Sequence, residues 1–232
     1  MISQKPERMF DNDHAPRNRD SRVSYDERQD HILEAATLLI ARVGYDRATM
    51  RGVAKEAGVS LAGIYHYFES KEKILFVIQF RSFTSLLNNL QEKLVGVDEP
   101  VEQLRIMVRS HVGYFAANMA ALKVCSHELD TLSGSLYEET RRIRRDYYDL
   151  TRLIIKGVLE KHAPNGDLDL YVATMSLFGM LNWLYRWYRP GSGRSPNNIA
   201  NQLACQFLRG LTGAAEGKAT AGRTDGRERP PR

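Results

Sequence analysis

The chain has 232 residues, 43% of them apolar, which is enough core for one large domain or for a small domain followed by a larger one. Two cysteines, Cys125 and Cys205, do not make a disulfide framework, and the polar opening MISQKPERMFDNDHAPRNRD lacks the apolar stretch of a secretory signal. The net charge of +5 does not by itself argue for nucleic acid, because residues 25–80 carry seven Lys and Arg against eight Asp and Glu.

Residues 1–23 are polar and aperiodic and read as a disordered arm. Ser24 and Glu27 then form a capping box, opening a helix whose apolar face is Ile32, Leu33, Ala36, Leu39, Ile40 and Val43 and which ends at Gly44. Thr49, Ser60 and Ser70 are spaced to cap three more helices: Met50 to Ala57, Leu61 to Phe68, and a long one from Lys71 to about Val95. Later helices are predicted from Pro100, across Ala121 to Thr131, from Leu136 to Lys161, from Leu168 to Tyr188, and from Pro196, with the two prolines at the first turn. No alternating run is long enough for a strand. The uncharged run from Leu170 to Tyr185 is shorter than the roughly 20 residues a membrane helix needs, so we read a buried helix, no membrane partner and a cytoplasmic location. Residues 213–232 read as a second disordered tail.

The strongest signal is TMRGVAKEAGVSLAGIYHYF, residues 49–68. Ala54 and Ala57 are small enough for a second helix to cross closely. Gly58 supplies the positive φ of a sharp turn, Val59 fills the corner, and Ile64 and Phe68 pack back. This is a helix-turn-helix. Leu61, Ala62 and Gly63 put little bulk at the front of its second helix, which suits close approach to the major groove. Tyr65 and His66 offer donors of the kind that reach phosphates, and Lys71 follows at a helix start. From these residues alone, Tyr65 can instead be core, His66 solvent-facing and Arg51 a surface charge, while Thr49 and Ser60 are caps with or without DNA.

From Arg28 to about Val77 the sequence resembles the TetR/AcrR family of bacterial repressors. The resemblance rests on the Gly44-Tyr45 turn, the Thr49 start, the Ala54-Ala57-Gly58-Val59-Ser60 turn, the run Gly63-Ile64-Tyr65-His66-Tyr67-Phe68 and Ser70-Lys71-Glu72. It implies an all-α fold: a three-helix DNA-binding domain at 24–70 and a helical ligand-binding and dimerisation domain at 71–212, about nine helices in all. It assigns Thr49, Ser60, Tyr65, His66 and Lys71 to phosphates and Arg51, Leu61, Ala62 and Gly63 to bases.

In the second half, Arg141, Arg145 and Tyr148 share a helix face at i, i+4 and i+7, while Arg144 and Asp146 fall elsewhere on the circumference. That face reads either as a solvated charged surface, tied by pairs such as Glu138 with Arg142, or as a cationic mouth for an anionic ligand. The segment LNWLYRWYRP holds both tryptophans, Trp183 and Trp187, with Arg186 and Arg189 among them. It resembles the branch of the TetR family that responds to CoA thioesters. Arg141, Arg145, Tyr148, Trp183, Arg186 and Trp187 are therefore candidates for a CoA ligand, with Met175, Phe178 and Leu181 along its apolar part.

Cys125, His127 and Glu128 resemble a metal cluster only at first sight, since residues i and i+2 point to different sides of a helix. No P-loop, GxGxxG, GxSxG or HExxH motif appears, so we expect no catalytic residues, no metal and no cofactor. The expected function is a homodimeric repressor, paired through Leu168 to Tyr188 and Ser195 to Leu211, released from a palindromic DNA operator by a small-molecule effector such as an acyl-CoA. The alternative is a helical ligand-binding or scaffolding protein with a degenerate DNA-binding motif.

Overall fold

The computed structural model describes residues 24–128, 131–164 and 167–213. The two arms expected to be disordered lie outside them, except Gly213, which ends the last helix. The described residues form ten helical segments and no strand: α1 Tyr25–Val43, α2 Met50–Glu56, α3 Leu61–Tyr67, α4 Lys71–Leu94, α5 Pro100–Ala117, α6 Met119–His127, α7 Gly134–His162, α8 Leu170–Asn182, α9 Leu184–Trp187 and α10 Pro196–Gly213.

The local signals act where the sequence places them. Ser24 and Glu27 close the capping box of α1 in both directions. Thr49, Ser60 and Ser70 accept the backbone N–H groups of Gly52, Gly63 and Lys73, each taking up a donor that the first helical turn leaves unpaired. Gly44 and Gly58 have φ of 85° and 64°, where a side chain would be strained.

Two differences have local causes. α6 begins at Met119, earlier than expected. Asn118 serves both helices, its Nδ2 donating to Tyr114 O at 2.8 Å at the end of α5 and its carbonyl accepting from Leu122 N at 3.0 Å. The expected helix from Leu168 to Tyr188 is split at Trp183. There the ladder tightens, with Arg186 N bonding Trp183 O at 3.0 Å. The shift keeps Leu181, Leu184 and Tyr188 in the core and leaves Trp183 and Trp187 half exposed.

Two apolar clusters result. The first packs α1, α2 and α3 against the opening turns of α4, around Ile32, Ile40, Val53, Ile64, Phe68 and Ile74. The second packs the rest of α4 with α5, α7, α8 and α10, around Leu90, Leu104, Met107, Tyr147, Leu177 and Phe207. α4 belongs to both. Val124 of α6 and Leu132 also reach the first cluster. Among the described residues no helix is long and apolar enough to cross a membrane.

Candidate DNA-binding surface and ligand cavity

α1 holds the helix-turn-helix from behind. Arg42 grips Glu56 through two N–H···O bonds of 3.1 and 2.8 Å, which hold that carboxyl below its usual pKa, and His31 Nε2 lies 3.1 Å from Ala57 O at the end of α2. Val59 N reaches back to Ala54 O at 3.0 Å and closes the turn. With Ile64 and Phe68 buried, the opposite side of α3 is turned outward. Thr49, Arg51, Ser60, Ala62, Tyr65 and His66 are exposed there, and Leu61, Gly63 and Lys71 are partly so. Tyr65 is therefore not core. Gly63 has a packing reason of its own: a Cβ there would come within 3.1 Å of the Ser60 Oγ that caps α3. The rear of the surface is braced by rings, Tyr67 lying 4.6 Å from Tyr25 and His66 edge-on to both. Lys71 is held at its base: its Nζ donates to Tyr45 O at 2.8 Å and sits 4.0 Å over the Tyr45 ring.

In the body, α4, α5, α7 and α8 surround a cavity of about 340 Å³ lined by Phe83, His111, Arg141, Arg144, Arg145, Tyr147, Tyr148, Met175, Phe178 and Asn182. Arg141, Arg145 and Met175 are exposed at its mouth. Tyr148 stacks on Phe178 at 6.1 Å. His111 and Tyr147 are fully buried at the inner end, His111 Nδ1 standing 3.1 Å from the Tyr147 hydroxyl. Burial drives the His111 pKa down to about 3, opposed only by the neighbouring Asn182 side chain, so the imidazole is neutral. Burial likewise pushes the Tyr147 hydroxyl up, keeping its proton in place.

Residues 32–78 match the family described as bacterial regulatory proteins, tetR family, and residues 97–211 match the tetracyclin repressor-like C-terminal domain. The regulator HbdR of Aromatoleum sp. strain CIB is 35% identical over 162 residues, 70% of this chain and 69% of HbdR. The chain belongs to the TetR family of transcriptional regulators. Among solved structures, the TetR-family regulator PfmR from Thermus thermophilus is 29% identical, with a TM-score of 0.68 over 77% of this chain and 97% of PfmR. AibR in complex with isovaleryl coenzyme A and operator DNA is 26% identical, with a TM-score of 0.67 over 80% of this chain and 98% of AibR.

In this TetR-family body, Arg141, Arg145, Tyr148, Met175 and Phe178 come together at one cavity, as their spacing on two helices suggested. Trp183, Arg186 and Trp187 do not join them. Arg186 stacks on the Trp183 ring at 5.4 Å and lines a separate crevice of about 310 Å³ with Ala41, Lys123, His127 and Glu128. The turn at Trp183 sends these side chains away from α7. Glu138 pairs with Arg141 at 3.8 Å, one residue short of the Arg142 partner expected. Sequence reasoning missed Phe83, His111, Arg144, Tyr147 and Asn182. One signal was available: His111 falls on the apolar stripe of α5 with Leu104, Met107, Val108 and Phe115, where an unpaired imidazole needs a reason.

α6 connects the cavity to the DNA-binding head. Arg144 Nη1 donates to Cys125 O at 2.9 Å while its guanidinium lies 4.7 Å over the Phe83 ring. Burial lifts the Cys125 thiol pKa to about 11, so the backbone carbonyl, not a thiolate, is the partner. Two residues before Cys125, Lys123 donates to Ala41 O at 2.5 Å at the end of α1. Beyond it, Glu128 accepts Tyr45 N at 3.2 Å and Thr131 Oγ1 at 3.2 Å, and its carbonyl accepts Gln79 Nε2 at 2.9 Å. The Tyr45 turn is thus held by Glu128 on its N–H and Lys71 on its carbonyl. Cys125, His127 and Glu128 are occupied by these roles and by Tyr185, whose hydroxyl is 2.7 Å from His127 Nε2. Among the described residues no group of three His, Cys, Asp or Glu is placed to hold a metal ion.

Proposed function

We propose that this regulator is a homodimeric cytoplasmic repressor that leaves its operator when an acyl-CoA thioester occupies the body cavity. The carrying observation is the cavity itself: two exposed arginines at the mouth, aromatic walls and a buried polar end. Arginines suit the nucleotide phosphates, and the aromatic interior suits the acyl group. At about 340 Å³ the cavity is near the lower end for ligand pockets, which fits an acyl group with the nucleotide left outside. The CoA complex of AibR, with which the chain shares fold and 26% identity, supports the same class.

The reading keeps the functional division at residues 70 and 71, with the opening turns of α4 packed into the head. The DNA contacts are those exposed around α3: Thr49, Arg51, Ser60, Leu61, Ala62, Gly63, Tyr65 and His66, with Lys71 behind them. Pairing of two copies uses α8 and α10, where exposed Leu168 and Val172 flank an apolar groove of about 480 Å³ running to Phe207 and Gly210. Release follows when the ligand favours a position of Arg144 and α6 that moves Lys123 and Glu128, and with them the head. A ligand binding both positions equally would release nothing.

The experiment is a gel shift on the DNA upstream of the protein's own gene, with and without a panel of acyl-CoA esters and the matching free acids. We expect retarded DNA released by CoA esters of short or branched acyl groups, and release weakened about tenfold in an Arg141→Ala, Arg145→Ala double variant. Release by free acids alone overturns the ligand class. A protein that shifts no DNA, including in a selection from random duplexes, supports the degenerate-motif alternative.

A further inference from the structure

Among the described residues, the hydroxyl of Tyr147 has His111 Nδ1 as its hydrogen-bond partner, at 3.1 Å, and both residues are about 1% exposed. A buried phenol must place its proton on an acceptor. His111 is neutral, so one ring nitrogen accepts and the other donates. Tyr147 O–H donating to Nδ1 satisfies both groups and leaves the proton of the imidazole on Nε2. That Nε2 is buried with no partner in hydrogen-bond geometry, and the Asn182 side chain lies close enough to the ring to favour its charged form. Both residues line the cavity. Leaving such a donor unpaired costs free energy that a saturated hydrocarbon ligand cannot recover.

We infer that the ligand's acyl group carries an oxygen acceptor, a ketone or equivalent carbonyl, which receives the His111 Nε2–H at the buried end of the cavity beside Asn182. The inference rests on the acyl-CoA reading of the same cavity. It narrows the effector from acyl-CoAs in general to oxo-acyl groups, and it makes His111 the residue that selects them. A site built to donate to an oxygen discriminates strongly against the analogue that lacks it, because the donor is then buried unpaired.

The test has two parts. Selective 15N NMR of the histidines in the free full-length protein is expected to show His111 protonated at Nε2 and bare at Nδ1; the opposite tautomer overturns the inference. Calorimetry then compares 5-oxohexanoyl-CoA with hexanoyl-CoA, and 5-oxohexanoate with hexanoate. Wild type is expected to prefer the oxo member by about tenfold or more. His111→Phe is expected to abolish the preference and His111→Gln, which keeps an N–H donor, to restore part of it. Where His111→Phe does not fold, Tyr147→Phe, which frees the imidazole to choose its tautomer, is expected to shrink the preference. A CoA response with no oxo preference, or a preference that survives His111→Phe, overturns this inference alone. An oxo preference confined to the free acids overturns the CoA reading and leaves the acceptor at His111 standing. No binding in either series overturns both.

Discussion

In the head, every side chain proposed to contact DNA lies between Thr49 and Lys71, on one turn and the helices beside it. In the body, the cavity draws on four helices, from Phe83 on α4 to Asn182 on α8. The head displays its working groups on the outside of a small core, so they need only a cap, a turn and an exposed face. The body sets the inner groups of its cavity, His111 and Tyr147, inside a larger core, where a polar atom without a partner is costly, and leaves Arg141 and Arg145 exposed at the mouth. The first arrangement tolerates substitution of one contact at a time; the second ties recognition to packing. α6 is where the two meet, through Arg144 on one side and Lys123 and Glu128 on the other.

The hardest strike at that contrast is Phe68→Ala. Phe68 is buried in the head cluster and absent from the body cluster. Removing it is expected to cost about 3–5 kcal/mol in the head, read by urea unfolding, and to abolish operator binding while the cavity still binds ligand. Loss of ligand binding as well would show that the two clusters unfold as one.

The body is expected to be the acid-sensitive half. The folded pKa of His111 is depressed from 6.5 to about 3, so its contribution to stability is present above about pH 6.5 and is lost as pH falls toward 3. The side chains around it are Phe83 from α4, Phe115 from α5, Tyr147 with the cavity arginines from α7, and Phe178 with Asn182 from α8, and among these the arginines alone are charged. By pH 5 about 2 kcal/mol should be gone. Urea midpoints at pH 7 and pH 5 measure it, and a His111→Phe variant should lose that part of the drop.

Glu128→Gln probes the connection. The amide keeps the hydrogen-bonding oxygen but weakens the grip on Tyr45 N. Operator affinity and ligand affinity measured separately should barely move, while the factor by which ligand lowers operator affinity should shrink about fivefold, roughly 1 kcal/mol of coupling. An unchanged factor would move the connection to Lys123. The smallest effect is expected from Lys71→Ala: a weakening of a few-fold across all DNA sequences, with the salt slope reduced by about 0.9. An intact slope with a lowered melting point would make Lys71 a brace for the Tyr45 turn, where its Nζ now rests.

The caps at Ser24, Thr49, Ser60 and Ser70, the turns at Gly44 and Gly58 and the helix-turn-helix between them were legible because each depends on residues within four positions of one another. Arg141, Arg145 and Tyr148 could be grouped for the same reason, by the period of one helix. The sequence could not say that Arg144 would join them, because a helix wheel records angle and not which neighbour stands opposite. It could not break the helix at Trp183, where burial of Leu181, Leu184 and Tyr188 outweighs the continuous helical pattern and carries Arg186 away from the cavity. Nor could it pair His111 with Tyr147, thirty-six positions apart, or leave Nε2 without a partner. Local hydrogen bonding, set by the order of residues, determined the head. Which buried polar groups meet, and which is left for a ligand, depends on how α4, α5, α7 and α8 cross, and only the tertiary structure decides that.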